Sequence, residues 1–370
     1  MENVIQAKFG TGRRNGESVK DLSRKISLAD LPRKDADMEQ LEELFSLAEQ
    51  IKQIKPWEMI SESNYIFIEL PDREEPIFCS ILGKNVKDKV IIVYENREAI
   101  ARVRDVHTAK TDLDRLTSSF EVKYSVCIFG NKEGVDDKDR EIYNNLGIKF
   151  ESDEDFVYFR ENESGGVTLP ISLKNAEIMR EALYGIYDSI VTYSQVYDIE
   201  ATLMPGESLR RAYNEELRNW ETGIRPLPPI PVSFKSVFFN DDSEFEELKE
   251  IKRKSNLVLE LQRGYVQRVM QKDGVDVHYM SKFAVLCDAK EKKLYGVVHD
   301  LSDDRGDQEI LEMIAAHMRH YGKPKTIKVG TYVIHDVISQ VCDALDIRLV
   351  NDEPLKFADI HVREEMERGV

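Results

Sequence analysis

The chain has 370 residues, long enough for two or three domains that each bury a core without covalent staples. Its 52 Lys and Arg against 69 Asp and Glu give a formal charge of −17, and a surface that acidic is repelled by phosphate backbones unless it gathers basic groups locally or recruits a divalent metal. Generic nucleic-acid binding is therefore disfavoured, and with neither an apolar leader nor a run of 18 apolar residues, neither secretion nor a membrane span is expected and the expected compartment is the cytosol.

Residues 1–36 are basic, contain glycine and show no sustained periodicity, which predicts a flexible arm. The stretch Phe9–Gly16 lacks both the preceding strand and the Lys-Ser/Thr of a phosphate loop, so it is not read as a nucleotide site. Over 37–195 the pattern predicts an α+β module. Leu41, Leu44, Phe45, Leu47, Ala48 and Ile51 recur at helical spacing, and Pro56 ends the pattern. Strands are expected at 65–70 and 76–82 around a turn, at 90–94 and at 124–129, with short ones at 149–150 and 156–160. Helices are expected at 98–116, at 137–145 before Gly147, and from a cap at Ser172 to about 193.

A linker is expected over 196–231, because Pro205-Gly206 and the segment from Arg225 to Pro231 are rich in breakers, with one helix at 207–220 between them. The remainder, 232–370, predicts an α/β module. It opens with a strand at 232–239, a helix at 241–254 and strands at 257–261 and 275–279. Strands follow at 282–287, 293–299, 325–329 and 347–350, with helices at 307–320 and 332–345 and a short one at the C-terminus, an alternation that implies parallel pairing in part of this sheet. Cys79, Cys127, Cys287 and Cys342 each lie among apolar neighbours and are expected to be buried, reduced thiols.

Four stretches, Phe45 to Trp57, Phe78 to Gly83, Lys138 to Phe150 and Phe159-Arg160 leading into the helix after Leu169, carry a resemblance of the first module to a bacterial domain of unknown function. Ala284 to Asp288, Leu294 to Gly296, His320 to Val329 and Leu345 to Pro354 make the second module resemble another uncharacterised domain that often follows the first. Neither resemblance implies an activity.

The element order of the second module also resembles the ribonuclease H-like fold of integrase cores, whose enzymes converge several carboxylates on two divalent ions about 4 Å apart. In this reading Asp288 stands where the first carboxylate belongs, and Gly330-Thr331 stands where a second acid would follow the strand ending at Val329. Asp336 lies about a turn into the next helix, while Asp359, with Glu364 and Glu365, is a candidate later ligand. Asp288 is otherwise a turn residue whose side chain bonds nearby backbone. His317 and His320 share a helical face but lack the further ligands of a zinc site. No Gly-x-Ser-x-Gly elbow or Cys/His nucleophile pattern occurs, and the acidic residues from Asp300 to Glu309 lack the order of a calcium loop. The expectation is a non-catalytic protein that binds a protein partner or small ligand and carries no cofactor. The competing expectation is a metal-dependent nuclease or related phosphoryl-transfer enzyme, in which Asp288, Asp336 and Asp359 are the metal candidates and the metal is Mg²⁺ or Mn²⁺.

Overall fold

The computed structural model describes residues 34–84, 88–163, 167–230, 236–271, 278–299, 306–351 and 353–368. The expected arm up to residue 33, most of the expected strand at 275–279 and the acidic residues 300–304 lie outside the described residues.

The first helix, α1 (Met38–Ile54), starts at a capping box in which Asp37 accepts from the backbone of Gln40 and the Gln40 side chain accepts from Asp37. It stops at Lys55, which turns left-handed just before Pro56. Then follow β1 (Tyr65–Glu69), β2 (Ile77–Leu82), β3 (Lys89–Tyr94), α2 (Arg97–Thr108), α3 (Asp112–Ser119), β4 (Tyr124–Gly130), α4 (Asp137–Leu146), β5 (Phe156–Glu163), β6 (Val167–Pro170), α5 (Leu173–Ser194), α6 (Ile199–Thr202), β7 (Glu207–Asn214) and β8 (Asn219–Pro226). Gly147 ends α4 with φ 68, a conformation glycine adopts without strain.

These strands form one sheet in the order β6-β5-β4-β3-β2-β1-β7-β8, in which only the β1 and β7 pair is parallel. One face packs under α1 and α5 in the largest apolar cluster, and the other meets α2 through Phe67, Phe78, Tyr94 and Ile100.

Three local expectations are corrected. The helix expected at 98–116 is two helices, because Thr111 caps a fresh start by accepting the amide of Asp114. Residues 149–150 form no strand. The helix expected at 207–220, and with it that part of the linker, is instead the β7–β8 hairpin paired to β1. Buried Arg211 hides its alternation: its guanidinium pairs with Asp188 of α5 and lies 4.5 Å from the Trp220 ring, so a charged residue occupies an inward strand position.

The second module comprises α7 (Asp242–Glu250), β9 (Arg253–Gln271), β10 (His278–Asp288), β11 (Lys293–His299), α8 (Gly306–Tyr321), β12 (Lys323–Val329), α9 (Tyr332–Ala344), β13 (Arg348–Val350) and α10 (Ala358–Arg368). Its sheet runs β11-β10-β9-β12-β13, with β9, β10 and β11 an antiparallel meander and β12 and β13 parallel to β9. The strand expected at 257–261 is the middle of the 19-residue β9, and 236–239 is irregular rather than strand. Helices α8 and α9 cover one face. On the other face α10 shares an apolar cluster with Phe283 and Val285 of β10, and Leu113 of α3 completes that cluster. A helix of the first module is thus seated on the second sheet. All four cysteines are buried and free, and burial raises the pKa of each.

Candidate functional site

Strand β9 is central in its sheet, so both faces are covered and its side chains alternate between two packed layers. Leu257, Leu259 and Leu261 enter the layer under α8 and α9. Glu260 and Gln262 point to the other side, where α10 and α3 meet. The Glu260 carboxylate accepts the backbone N–H groups of Lys356, Phe357 and Ala358 at 3.3, 2.7 and 3.0 Å, which fixes the start of α10 on the sheet. Gln262 is fully buried, and its amide donates to Asp114 of α3 at 2.7 Å and to Asp359 of α10 at 3.1 Å.

This bridge lies against Gly330, the residue after β12. A methyl group there would stand 2.1 Å from the Gln262 amide nitrogen and 2.6 Å from Asp114, so the space a larger residue needs is already filled by the bridge. Asp114 serves two ends: one oxygen accepts the Thr111 amide at the start of its own helix, and the other takes Gln262. Burial pushes the Asp359 carboxyl up to about 6; the hydrogen bond from Gln262 opposes the rise, and the charges of Asp114 and Glu260 add to it.

Beside the bridge lies a buried charged group joining the modules. Glu121, just after α3, accepts the Tyr265 hydroxyl and the Lys282 ammonium, and Arg263 stands 3.8 Å away while also pairing with Asp307 of α8. Burial alone would raise the Glu121 carboxyl, but Lys282, Arg263 and Arg102, with the Tyr265 hydrogen bond, bring it down to about 2. The space among Thr117, Glu121, Arg263, Tyr265 and Thr331 is about 10 Å³, room for one water at most. On α2, Asp105 is 3 % exposed, and neither carboxylate oxygen has a hydrogen-bond partner among the described residues. Burial pushes it up to about 6, against the pull of Arg102 and Arg104 and with help from Asp336 and Glu121.

The three candidate metal residues stand on different elements with different partners. Asp288 ends β10, the second strand of the sheet rather than the first. One of its oxygens accepts the backbone N–H of Lys290 and of Glu291, both at 2.7 Å, so its side chain shapes the turn to β11. Asp336 on α9 lies 2.8 Å from the His335 ring nitrogen. Asp359 alone stands at the bridge. Glu364 meets His361 and Glu365 meets Arg368, both pairs within α10. Among the described residues no three His, Cys, Asp or Glu side chains are grouped to hold a metal ion. His317 stacks against Tyr295 and Tyr321, while His320 is exposed. Glu260, Gln262, Asp114 and Glu121 escape sequence reasoning, although the alternation Leu257, Leu259, Leu261 with polar residues between carries a trace of the first two.

Residues 42–211 match the family model of a domain of unknown function (DUF7309), and residues 244–367 match that of a second, DUF6930. The chain joins two domains of unknown function. The first match runs into β7, in keeping with the place of that strand beside β1. No curated protein matches the chain.

Proposed function

We propose that this is a non-catalytic binding protein of the bacterial cytosol, whose second module is a ribonuclease H-like core that has lost its carboxylate centre. The strand order and senses of the second sheet, a three-strand meander followed by two strands parallel to its first, support the ribonuclease H-like reading. In that arrangement the metal-bearing positions fall on β9, at the end of β12 and on α10.

The observation that carries the proposal is what occupies them: Gln262, Gly330 and Asp359, closed over by Asp114 from the first module. This donor set does not fit a pair of divalent ions. The Gln262 amide presents N–H groups to both nearby carboxylates, Gly330 supplies no ligand, and the Glu260 oxygens already accept three backbone N–H groups. The acidic chain and the buried thiols support a reducing, intracellular setting and a protein partner or small ligand rather than nucleic acid.

The test incubates the full chain with Mg²⁺ or Mn²⁺ and single-stranded, duplex and hybrid nucleic acids, alongside thermal-shift titration of each metal. The expected result is no cleavage and no metal-dependent rise in melting temperature. Cleavage that disappears in Asp288→Asn or Asp359→Asn would overturn the proposal in favour of a nuclease.

A further inference from the structure

Strand β11 ends its sheet, and among the described residues its outer edge has no partner, so the backbone groups along that edge are open to an added strand. Between β11 and α8 lies a cleft of about 460 Å³, lined in part by Gly296, Val298 and Met313. Its walls combine two features. One is aromatic: the Tyr295 and Tyr321 rings lie 4.7 Å apart, and His317 packs against them at 4.4 and 5.0 Å. The other is acidic: Glu309 and Glu312 of α8 line the cleft, and neither forms an ion pair or hydrogen bond among the described residues, although ion pairs are common elsewhere in this chain.

Tyrosine faces with carboxylates beside them attract organic cations, through the ring quadrupole and through direct charge. The chain itself sets a cation against the same two rings. The Lys293 ammonium lies 5.3 Å from both the Tyr295 and the Tyr321 ring centroids, within the range of a cation–π contact. A negatively charged molecule also draws positively charged partners towards it over a distance.

We infer that the β11–α8 cleft binds an extended basic peptide segment, which adds as a strand to the free edge of β11 and places a lysine or arginine side chain between the two tyrosines and the two glutamates. This deepens the binding role proposed above by naming a partner chemistry, and it stands whether or not the polar bridge is catalytic.

The test measures fluorescence anisotropy of a labelled hexapeptide of alternating valine and arginine with the full chain. The same peptide with glutamate for arginine, and one N-methylated along one edge, serve as controls. Binding should weaken about tenfold or more in Glu309→Gln/Glu312→Gln and in Ala316→Phe, which fills the cleft from an exposed position, with circular dichroism melts unchanged. Lys293→Ala should tighten binding by removing the internal competitor. Absence of binding, or binding that both cleft variants leave intact, would overturn the site. Full affinity for the N-methylated peptide would overturn strand addition, and loss of binding in Lys293→Ala would overturn the assigned role of the tyrosine faces. The nucleic-acid cleavage assay reads the proposed lack of catalysis separately, so the two fail independently.

Discussion

Burial shifts the ionisation of several side chains in this fold, among them Asp105, Asp359 and Cys79. Asp105 is the clearest case, a carboxyl 3 % exposed with neither oxygen hydrogen-bonded among the described residues. Its pKa rises from the ordinary value to about 6 in the folded chain, so the folded state holds a proton more tightly than the unfolded one. Its favourable share of stability is therefore complete below about pH 4 and is lost as pH rises through 6. Asp105→Asn should leave stability nearly unchanged at pH 4 and raise it by about 1–3 kcal/mol at pH 7, as read from urea unfolding at both pH values. An equal effect at the two would show that Asp105 is already charged inside the fold. Asp288 is the opposite case, tied to two backbone N–H groups of its own turn. Asp288→Asn keeps one acceptor oxygen and should cost at most about 1 kcal/mol. A loss of several kcal/mol would mean that its charge does more than shape the turn.

At the scale of elements, the β7–β8 hairpin departs most from what the sequence suggests. Prolines and Pro205-Gly206 flank it, and an inward arginine breaks its alternation, so local rules point to a linker with a helix. Pairing of β7 along the whole of β1 decides otherwise. The amides of 208–212 should then exchange slowly with solvent, and limited proteolysis should spare 207–214. Fast exchange across those five residues would return the segment to the linker. By contrast, α1, α4 and α5 were legible because capping residues and apolar stripes agree with the packing they meet. Strand β9 was legible only in its apolar middle, since Glu260, Gln262 and Arg263 are polar residues that the adjoining helices bury.

For the whole molecule, the junction between the modules is a packed polar interface rather than a flexible connection. Glu121 meets Lys282, Tyr265 and Arg263 across it, Leu113 enters the second core, and Gln262 reaches Asp114. Glu121→Ala leaves Lys282 and Arg263 buried without their shared carboxylate, and breaking such a group costs about 3–5 kcal/mol. The wild type should unfold in one calorimetric transition and Glu121→Ala in two, the first reporting separation of the modules. A single transition of unchanged midpoint would show that the apolar contacts alone hold them together.

The sequence by itself determined the two-module plan, most helices of the first module, the alternation of the second, and the buried reduced state of the cysteines, because periodicity, caps and breakers are local signals. It also placed a glycine, Gly330, directly after the strand that ends at Val329. Only the tertiary structure decided what packs against that glycine. Gln262, Asp114 and Asp359 come from a strand and two helices of two modules, and the sequence separations between them are spanned only when α3 docks on the second sheet. The placement of Asp288 on the second strand has the same cause. Which strand is central follows from hydrogen-bond pairing between distant segments, and the residues of β10 carry no mark of their neighbours.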